Sequence, residues 1–93
     1  MRKIIRADGT YTMIEHRLSI SAIEKMIGAD TVDTVLLTDR VHVMIVDDAG
    51  HQKGLPVNAA ATALYHARCL PGTTHQIVGD VVIVPDSDFG SQS

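Results

Sequence analysis

The sequence predicts an α+β domain with about five strands in an antiparallel or mixed sheet and two helices, in the order β-β-α-β-β-α-β. Three observations predict this class: short apolar runs bounded by turn residues, two segments with helical signals, and a chain of 93 residues, which suits one domain. We expect residues 1–85 to form that domain and the polar residues 86–93 to form a flexible tail.

The first two strands are expected to form a hairpin. Residues 2–6 place two isoleucines between charged side chains, and Asp8-Gly9 is a strong turn signal. Residues 11–17 then interleave apolar with polar positions, as the second arm of a hairpin does.

A short first helix follows this hairpin. Ser21 and Glu24 have the spacing of a capping box, in which a serine is followed three residues later by a glutamate, and Ile20 would be the apolar residue before the cap. Apolar residues recur at spacings of three and four over residues 23–27, and Gly28 is a suitable helix end.

A second hairpin, a second helix and a last strand complete the pattern. Residues 31–38 and 41–46 are rich in strand-forming residues and have a tight connection between them. Asn58 suits the N-cap of an alanine-rich helix over residues 59–68, and the uninterrupted apolar run 81–84 predicts the last strand.

Two of these strands, 41–46 and 81–84, are apolar on both faces, which is typical of strands that are covered on both sides. We expect the two short helices to cover only one face of the sheet. The second face would then be covered either by loops and the C-terminal segment or by a second copy of the chain in a homodimer.

The second helix has two candidate faces. One is a stripe of small and apolar residues that we expect against the sheet: Ala60, Leu64 and Ala67. The other is more polar and is a candidate wall of a ligand groove: Asn58, Thr62, Tyr65 and Cys69. The alternative for this second stripe is purely structural, namely a helix cap, two partly exposed residues and a buried thiol.

Composition and spacing exclude several classes of function. A net charge of −3 and few aromatic residues argue against direct nucleic-acid binding, and a single cysteine excludes an internal disulfide framework. The five histidines lack metal-binding spacing and no nucleophile stands beside a base, so we predict no metal, cofactor or catalytic residue. No apolar run has the length of a membrane span, and we expect a cytoplasmic protein.

The C-terminal half carries a more specific pattern. A Gly-Leu-Pro-Val-Asn loop at residues 54–58 opens a helix that contains Ala-Thr-Ala-Leu, and Ile-Val-Gly-Asp-Val follows at residues 77–81. This pattern closely resembles the domain-of-unknown-function family 3846, which occurs in phages, plasmids and bacteria. The resemblance is best over residues 50–84.

The residues of this pattern and their neighbours form a candidate ligand-binding set: Leu55, Pro56, Asn58, Thr62, Tyr65, Arg68, Gly79 and Asp80. In this hypothesis the helix N-terminus, Asn58 and Thr62 hydrogen-bond a ligand. Tyr65 packs on its ring and Arg68 supplies positive charge. The alternative is that the same residues only set a loop, cap a helix and bend a strand.

Three functions remain open. The first is a non-enzymatic binding module of phage or mobile-element type, which would sequester a nucleotide-derived signalling molecule of the host at a homodimer interface in the host cytoplasm. The second is a module that binds and modulates a host or phage protein through an exposed sheet face. The third is a small hydrolase, in which His66 and His75 would act with a carboxylate.

Overall fold

A computed structural model describes residues 1–69 and 71–89 of the chain. Its strands and helices follow one another in the predicted order. The elements are β1 (Lys3–Ile5), β2 (Tyr11–Met13), α1 (Ile20–Ile27), β3 (Val32–Leu36), β4 (His42–Asp47), α2 (Ala59–Arg68), β5 (Val81–Pro85) and a 3-10 helix (Asp86–Phe89). The five strands form one antiparallel sheet in the order β2-β1-β5-β4-β3. The predicted α+β class and the predicted element order are therefore confirmed.

The two helices lie on opposite faces of the sheet. Ile23 of α1 packs with Ile45 of β4, whereas Ala61 of α2 packs in a second cluster with Met44, the neighbour of Ile45. Successive residues of a strand point to opposite faces, so the two clusters lie on the two sides of the sheet. The expectation that both helices cover one face is wrong: β4 and β5 are apolar on both faces because each face meets its own helix.

Helix α1 begins earlier than the predicted capping box. Ser19, rather than Ser21, is the N-cap, and its Oγ accepts a hydrogen bond from the Ala22 amide at 3.1 Å. This start brings Ile20 into the helix, one turn before Ile23, and Ile20 packs against the same core cluster. Ile20 therefore contacts the core from within the first turn of the helix.

The buried face of α2 also differs from the predicted face. Ala61 and Thr62 are buried and Leu64 of the predicted stripe packs against the same cluster, whereas Ala60 and Ala67 of that stripe are exposed. The Thr62 hydroxyl accepts a hydrogen bond from the Ile77 amide at 2.9 Å and donates to the Ile77 carbonyl oxygen at 3.2 Å. These two bonds turn the Thr62 side of the helix inward.

The segment after β5 begins as part of the fold. The buried carboxylate of Asp88 accepts hydrogen bonds from Arg2, with Nε–Oδ2 at 2.6 Å and Nη2–Oδ1 at 2.8 Å, and these bonds lower the pKa of Asp88. Arg17 donates to the carbonyl oxygen of Asp88. Residues 86–89 of the predicted tail therefore form a 3-10 helix with contacts to the domain, residues 90–93 lie outside the described residues, and the flexibility of the tail stays a prediction.

The connection between β3 and β4 depends on Asp39. Its Oδ1 accepts hydrogen bonds from the amides of Val41 and His42 at 2.8 and 2.9 Å, and its Oδ2 lies 2.6 Å from His42 Nδ1. Three hydrogen bonds hold the pKa of Asp39 at about 2, below the ordinary value of 3.8. The bond from the His42 amide has the largest effect, and those from the Val41 amide and the His42 ring have smaller effects.

We expect Asp39 to titrate near pH 2 in the folded protein. Because its folded-state pKa lies below the unfolded value of 3.8, its stabilising effect is fully present above pH 3.8 and is lost as the pH falls toward 2. Carbon-13 NMR of the aspartate carboxyl groups during acid titration measures this midpoint, and the Asp39→Asn variant identifies the signal. A midpoint close to the ordinary value would show that the carboxylate does not hold the connection.

Candidate functional site

The loop that follows β4 is fixed by Asp47, the last residue of that strand. Its buried carboxylate accepts hydrogen bonds from the Ala49 amide at 2.9 Å and from Lys53 Nζ at 2.7 Å. Lys53 also donates to the carbonyl oxygen of Gly28 at 3.0 Å, which ties the loop to the end of α1. These contacts fix the position of His51, which lies between Ala49 and Lys53.

Two glycines allow the loop to approach the segment before β5 closely. A Cβ atom at Gly50 would lie 2.8 Å from Val78 Cγ2, and one at Gly79 would lie 2.8 Å from Leu55 Cδ1. Gly79 also has a positive φ of 78°, which other residues rarely adopt. The loop therefore packs directly on residues 78–79, and a single β-bridge joins Val57 to Val78.

A cleft of about 250 Å³ opens between this loop, the end of β4 and the segment before β5. Its lining residues are Asp33, Val46, Asp47, Asp48, His51, His75, Gln76, Ile77 and Val78. We call it the His51–His75 cleft. It lies beside β3, which is an edge strand of the sheet.

Two imidazole rings lie close together in this cleft. The ring centroids of His51 and His75 are 4.9 Å apart, and the Tyr65 ring lies 5.5 Å from that of His75. His51 Nε2 donates to the Gln76 carbonyl oxygen at 2.7 Å, and His66 Nε2 donates to the His75 carbonyl oxygen at 2.6 Å. Both donating nitrogens must carry a proton, so in the neutral rings Nδ1 is the acceptor.

Carboxylates give the cleft a negative character. Lys53 pairs with Asp47, whereas Asp33 accepts a hydrogen bond from the Thr34 amide at 2.9 Å. The carboxylate of Asp48 is exposed and has no hydrogen-bond partner among residues 1–69 and 71–89. Because carboxylates only accept hydrogen bonds at neutral pH, the cleft favours a ligand that presents N–H donors over a bare phosphate.

Tyr65 connects α2 with the cleft. A hydrogen bond with the Cys69 side chain is the main cause that raises the pKa of Tyr65, and the charge of Asp33 acts in the same direction. The positive charge of Arg68 acts in the opposite direction. Tyr65 therefore lies within electrostatic reach of both Asp33 in the cleft and Arg68 on the exposed side of α2.

The side chain of Asn58, the central residue of the predicted ligand-binding set, makes three hydrogen bonds within the fold. Its Nδ2 donates to the carbonyl oxygens of Ile5 at 3.0 Å and Gly79 at 2.9 Å. Its Oδ1 accepts from the Ala61 amide at 3.1 Å, which confirms the predicted N-cap. With 1% of its surface exposed, Asn58 joins β1, α2 and the segment before β5.

The other residues of the predicted set are divided between structural contacts and the cleft. The Pro56 carbonyl oxygen accepts from the Gly79 amide at 2.7 Å, and Asp80 Oδ1 accepts from the Ala7 amide at 3.0 Å. The structure gathers one group around residues 77–79: Leu55, Pro56, Asn58, Thr62 and Gly79. None of the predicted residues lines the His51–His75 cleft, although Tyr65 contacts His75.

The cleft residues that sequence reasoning missed are Asp33, Asp48, His51 and Gln76, whereas His75 was considered only for a hydrolase. The available signals were weak: an Asp-Asp pair at the end of a strand, and histidines on each side of the loop-helix motif. The approach of residue 51 to residues 75–76 depends on the bridge between Val57 and Val78, for which no local pattern exists.

The described residues limit the chemistry of the site. Among residues 1–69 and 71–89, no three His, Cys, Asp or Glu side chains are grouped closely enough to hold a metal ion. His66, which was considered for a hydrolase, bonds the backbone of His75 rather than a carboxylate. Within the same part of the chain, no helix is both long and apolar enough to cross a lipid bilayer.

A five-stranded antiparallel sheet, a helix on each face and a histidine-lined cleft beside an edge strand define a small α+β domain. The chain belongs to the DUF3846 family, whose model, described as "Domain of unknown function (DUF3846)", matches residues 1–93. The family match extends the resemblance from residues 50–84 to the whole chain. No match was found among curated proteins or among solved structures.

Proposed function

We propose that this domain is a non-enzymatic binding module that holds the base of a nucleotide-derived molecule in the His51–His75 cleft. The observation that supports this most strongly is the pair of imidazole rings, 4.9 Å apart, in a cleft that is also lined by exposed carboxylates of Asp33 and Asp48. Aromatic rings offer surfaces on which bases stack, and carboxylates accept hydrogen bonds from the amino groups of bases.

The size of the cleft favours a base over a whole nucleotide. Its volume of about 250 Å³ is smaller than the roughly 300–1,000 Å³ of pockets that enclose larger ligands. The sugar and phosphates would therefore remain at the mouth of the cleft, away from its carboxylates. Arg68 supplies positive charge on the Tyr65 side, where phosphates are better tolerated.

In this proposal the domain sequesters a signalling nucleotide in the host cytoplasm on behalf of a phage or mobile element. The family resemblance is the only support for that setting. The ligand lies within a single chain, so the homodimer expected from the sequence is a separate proposal. A protein partner bound through a sheet face has less support, because α1 and α2 cover both faces of the central strands.

Calorimetric titration with cyclic AMP, ADP-ribose and cyclic IMP tests the proposal. We expect cyclic AMP and ADP-ribose, which both contain adenine, to bind. Cyclic IMP should bind roughly tenfold more weakly, because its hypoxanthine base lacks the amino group that would donate a hydrogen bond to a carboxylate in the cleft. If none of the three compounds binds, or if cyclic IMP binds as well as cyclic AMP, the proposed recognition of an amino-bearing base is wrong.

Two substitutions locate the binding to the cleft. His75→Ala removes a stacking ring but keeps the backbone carbonyl that holds His66, and Asp48→Ala removes an exposed acceptor. Each is expected to weaken cyclic AMP binding roughly tenfold. His16→Ala, which changes an exposed histidine outside the cleft, is the matched control and should leave the affinity unchanged.

A further inference from the structure

The three carboxylates in the His51–His75 cleft differ in the number of oxygens that already accept a hydrogen bond. Both oxygens of Asp47 accept one, from groups of the loop after β4. Asp33 accepts only through Oδ1, from the Thr34 amide at 2.9 Å. Within residues 1–69 and 71–89, Oδ2 of Asp33 has no partner, and neither oxygen of Asp48 has one. In this part of the chain the cleft therefore has three unbonded carboxylate oxygens, two of them on one residue.

Asp33 and Asp48 lie on the same side of the sheet. Asp33 of β3 pairs with Val46 of β4, and the Asp48 amide donates to the Thr31 carbonyl oxygen at 3.2 Å, which continues the antiparallel pairing. Asp48 stands two residues beyond Val46, so it is the diagonal neighbour of Asp33, and residues in such positions are roughly 7–8 Å apart. Both side chains are exposed and line the cleft. A single donor group between them can therefore bond to both carboxylates.

The amino group of a nucleobase is such a donor, because it carries two hydrogens that point in different directions. One hydrogen would be donated to Oδ2 of Asp33 and the other to an oxygen of Asp48. The second oxygen of Asp48 then faces a ring nitrogen next to the amino group. In guanine this nitrogen, N1, carries a hydrogen and donates, whereas in adenine the ring nitrogens on either side of the amino group carry lone pairs and would repel a carboxylate.

We propose that the cleft binds guanine in preference to adenine, and that Asp48 is the residue that distinguishes the two bases. This inference rests on the proposed binding of a base in the cleft. Asp48 accepts one hydrogen bond from N1–H of guanine and one from its amino group, a bidentate pairing that a carboxylate forms with two parallel donors. The second hydrogen of the amino group is donated to Asp33.

The number of hydrogen bonds sets the order of affinity among the purines. Guanine donates three to the two carboxylates, adenine donates two through its amino group, and hypoxanthine donates one through N1–H. Each bond to a charged acceptor changes the affinity roughly tenfold. Cyclic GMP should therefore bind more tightly than cyclic AMP, and cyclic AMP more tightly than cyclic IMP. All three bases can stack on the paired histidine rings, so stacking does not set this order.

Gln76 can supply the donor that guanine also needs. The O6 atom of guanine lies beside N1 and only accepts hydrogen bonds. The Gln76 side chain is exposed, lines the cleft and has no hydrogen-bond partner among the residues that the structure describes. Because its carboxamide carries two N–H donors, the cleft contains both kinds of group that this edge of guanine requires.

Replacement of one oxygen of Asp48 by an amide nitrogen tests this assignment. Asp48→Asn keeps the shape of the side chain, but it leaves one acceptor and adds one donor. The new side chain matches the amino group and the adjacent lone pair of adenine, and it places a donor against a donor of guanine. In calorimetric titrations, cyclic GMP should bind the wild type roughly tenfold more tightly than cyclic AMP, and the variant should reverse this order.

Asp33→Asn is the matched control. Its Oδ1 can still accept from the Thr34 amide, so only the bond from the amino group of the base is lost. Both nucleotides should bind more weakly by a similar factor, and the preference for cyclic GMP should be kept. Circular dichroism establishes that each variant is folded.

The inference is overturned if cyclic AMP binds the wild type as tightly as cyclic GMP, or if Asp48→Asn keeps the preference for cyclic GMP. In either case the proposed binding of a base still stands. If neither nucleotide binds the wild type, the proposed function fails and the inference fails with it.

Discussion

Replacement of Asn58 by alanine is expected to lower the free energy of unfolding by about 3 kcal/mol, roughly 1 kcal/mol for each hydrogen bond of the side chain. The side chain bonds the carbonyl oxygens of Ile5 and Gly79 and the amide of Ala61, and it is 1% exposed. The substitution therefore removes a helix cap and two contacts between elements that are distant in sequence. Urea unfolding followed by circular dichroism measures the loss.

Ser19→Ala is the matched control for this substitution. Ser19 is also an N-cap, but it is exposed and its side chain makes one helix-capping bond, to the Ala22 amide. Its loss should cost about 1 kcal/mol. If Asn58→Ala costs no more than Ser19→Ala, then the Asn58 side chain is not committed to the fold and remains available to a ligand.

Alanine substitutions of Met44 and Ile45 are each expected to lower the free energy of unfolding by about 3 kcal/mol, because each leaves a cavity in a packed cluster. The two residues are neighbours on β4, both are 0% exposed, and they belong to different clusters. Met44 packs on the α2 side and Ile45 on the α1 side. Large losses for both, measured by urea unfolding at a concentration where the chain is monomeric, would show that a single chain covers both faces.

Val41→Ala is the control on the same stretch of chain. Val41 precedes β4 and is 55% exposed, so its truncation should change the stability by no more than about 0.5 kcal/mol. If either core substitution is as mild as Val41→Ala, one face of the sheet lacks cover in the isolated chain.

The fold was largely predictable because its signals are local. The Asp8-Gly9 turn, the Asn58 cap and the apolar run 81–84 each specify an element from a few adjacent residues. The side of the sheet on which each helix lies was not predictable in this way. The alternation of Met44 and Ile45 shows only that both faces are apolar, and the covering of one face by each helix depends on the long-range path of the chain.

The site was less predictable than the fold. The motif around Asn58 stands out in the sequence, but its polar groups are satisfied by Gly79, Ile77 and other backbone partners that lie far away in sequence. The cleft depends on the approach of His51 to residues 75–76, which only the folded chain brings together. Sequence patterns identify residues that cap a helix or form a turn. They do not show whether the hydrogen-bonding groups of those residues are satisfied within the fold.

The Asn58 side chain bonds within the fold, and we propose that the His51–His75 cleft binds the ligand. The most direct test is long-range proton–nitrogen NMR of the histidine rings during titration with cyclic AMP. The free protein should show His51 and His66 with the proton on Nε2. Added cyclic AMP should shift the His51 and His75 signals and leave His16 unchanged. Unchanged His51 and His75 signals, together with shifts at the Asn58 side-chain amide, would place the binding site at the motif and contradict the claim.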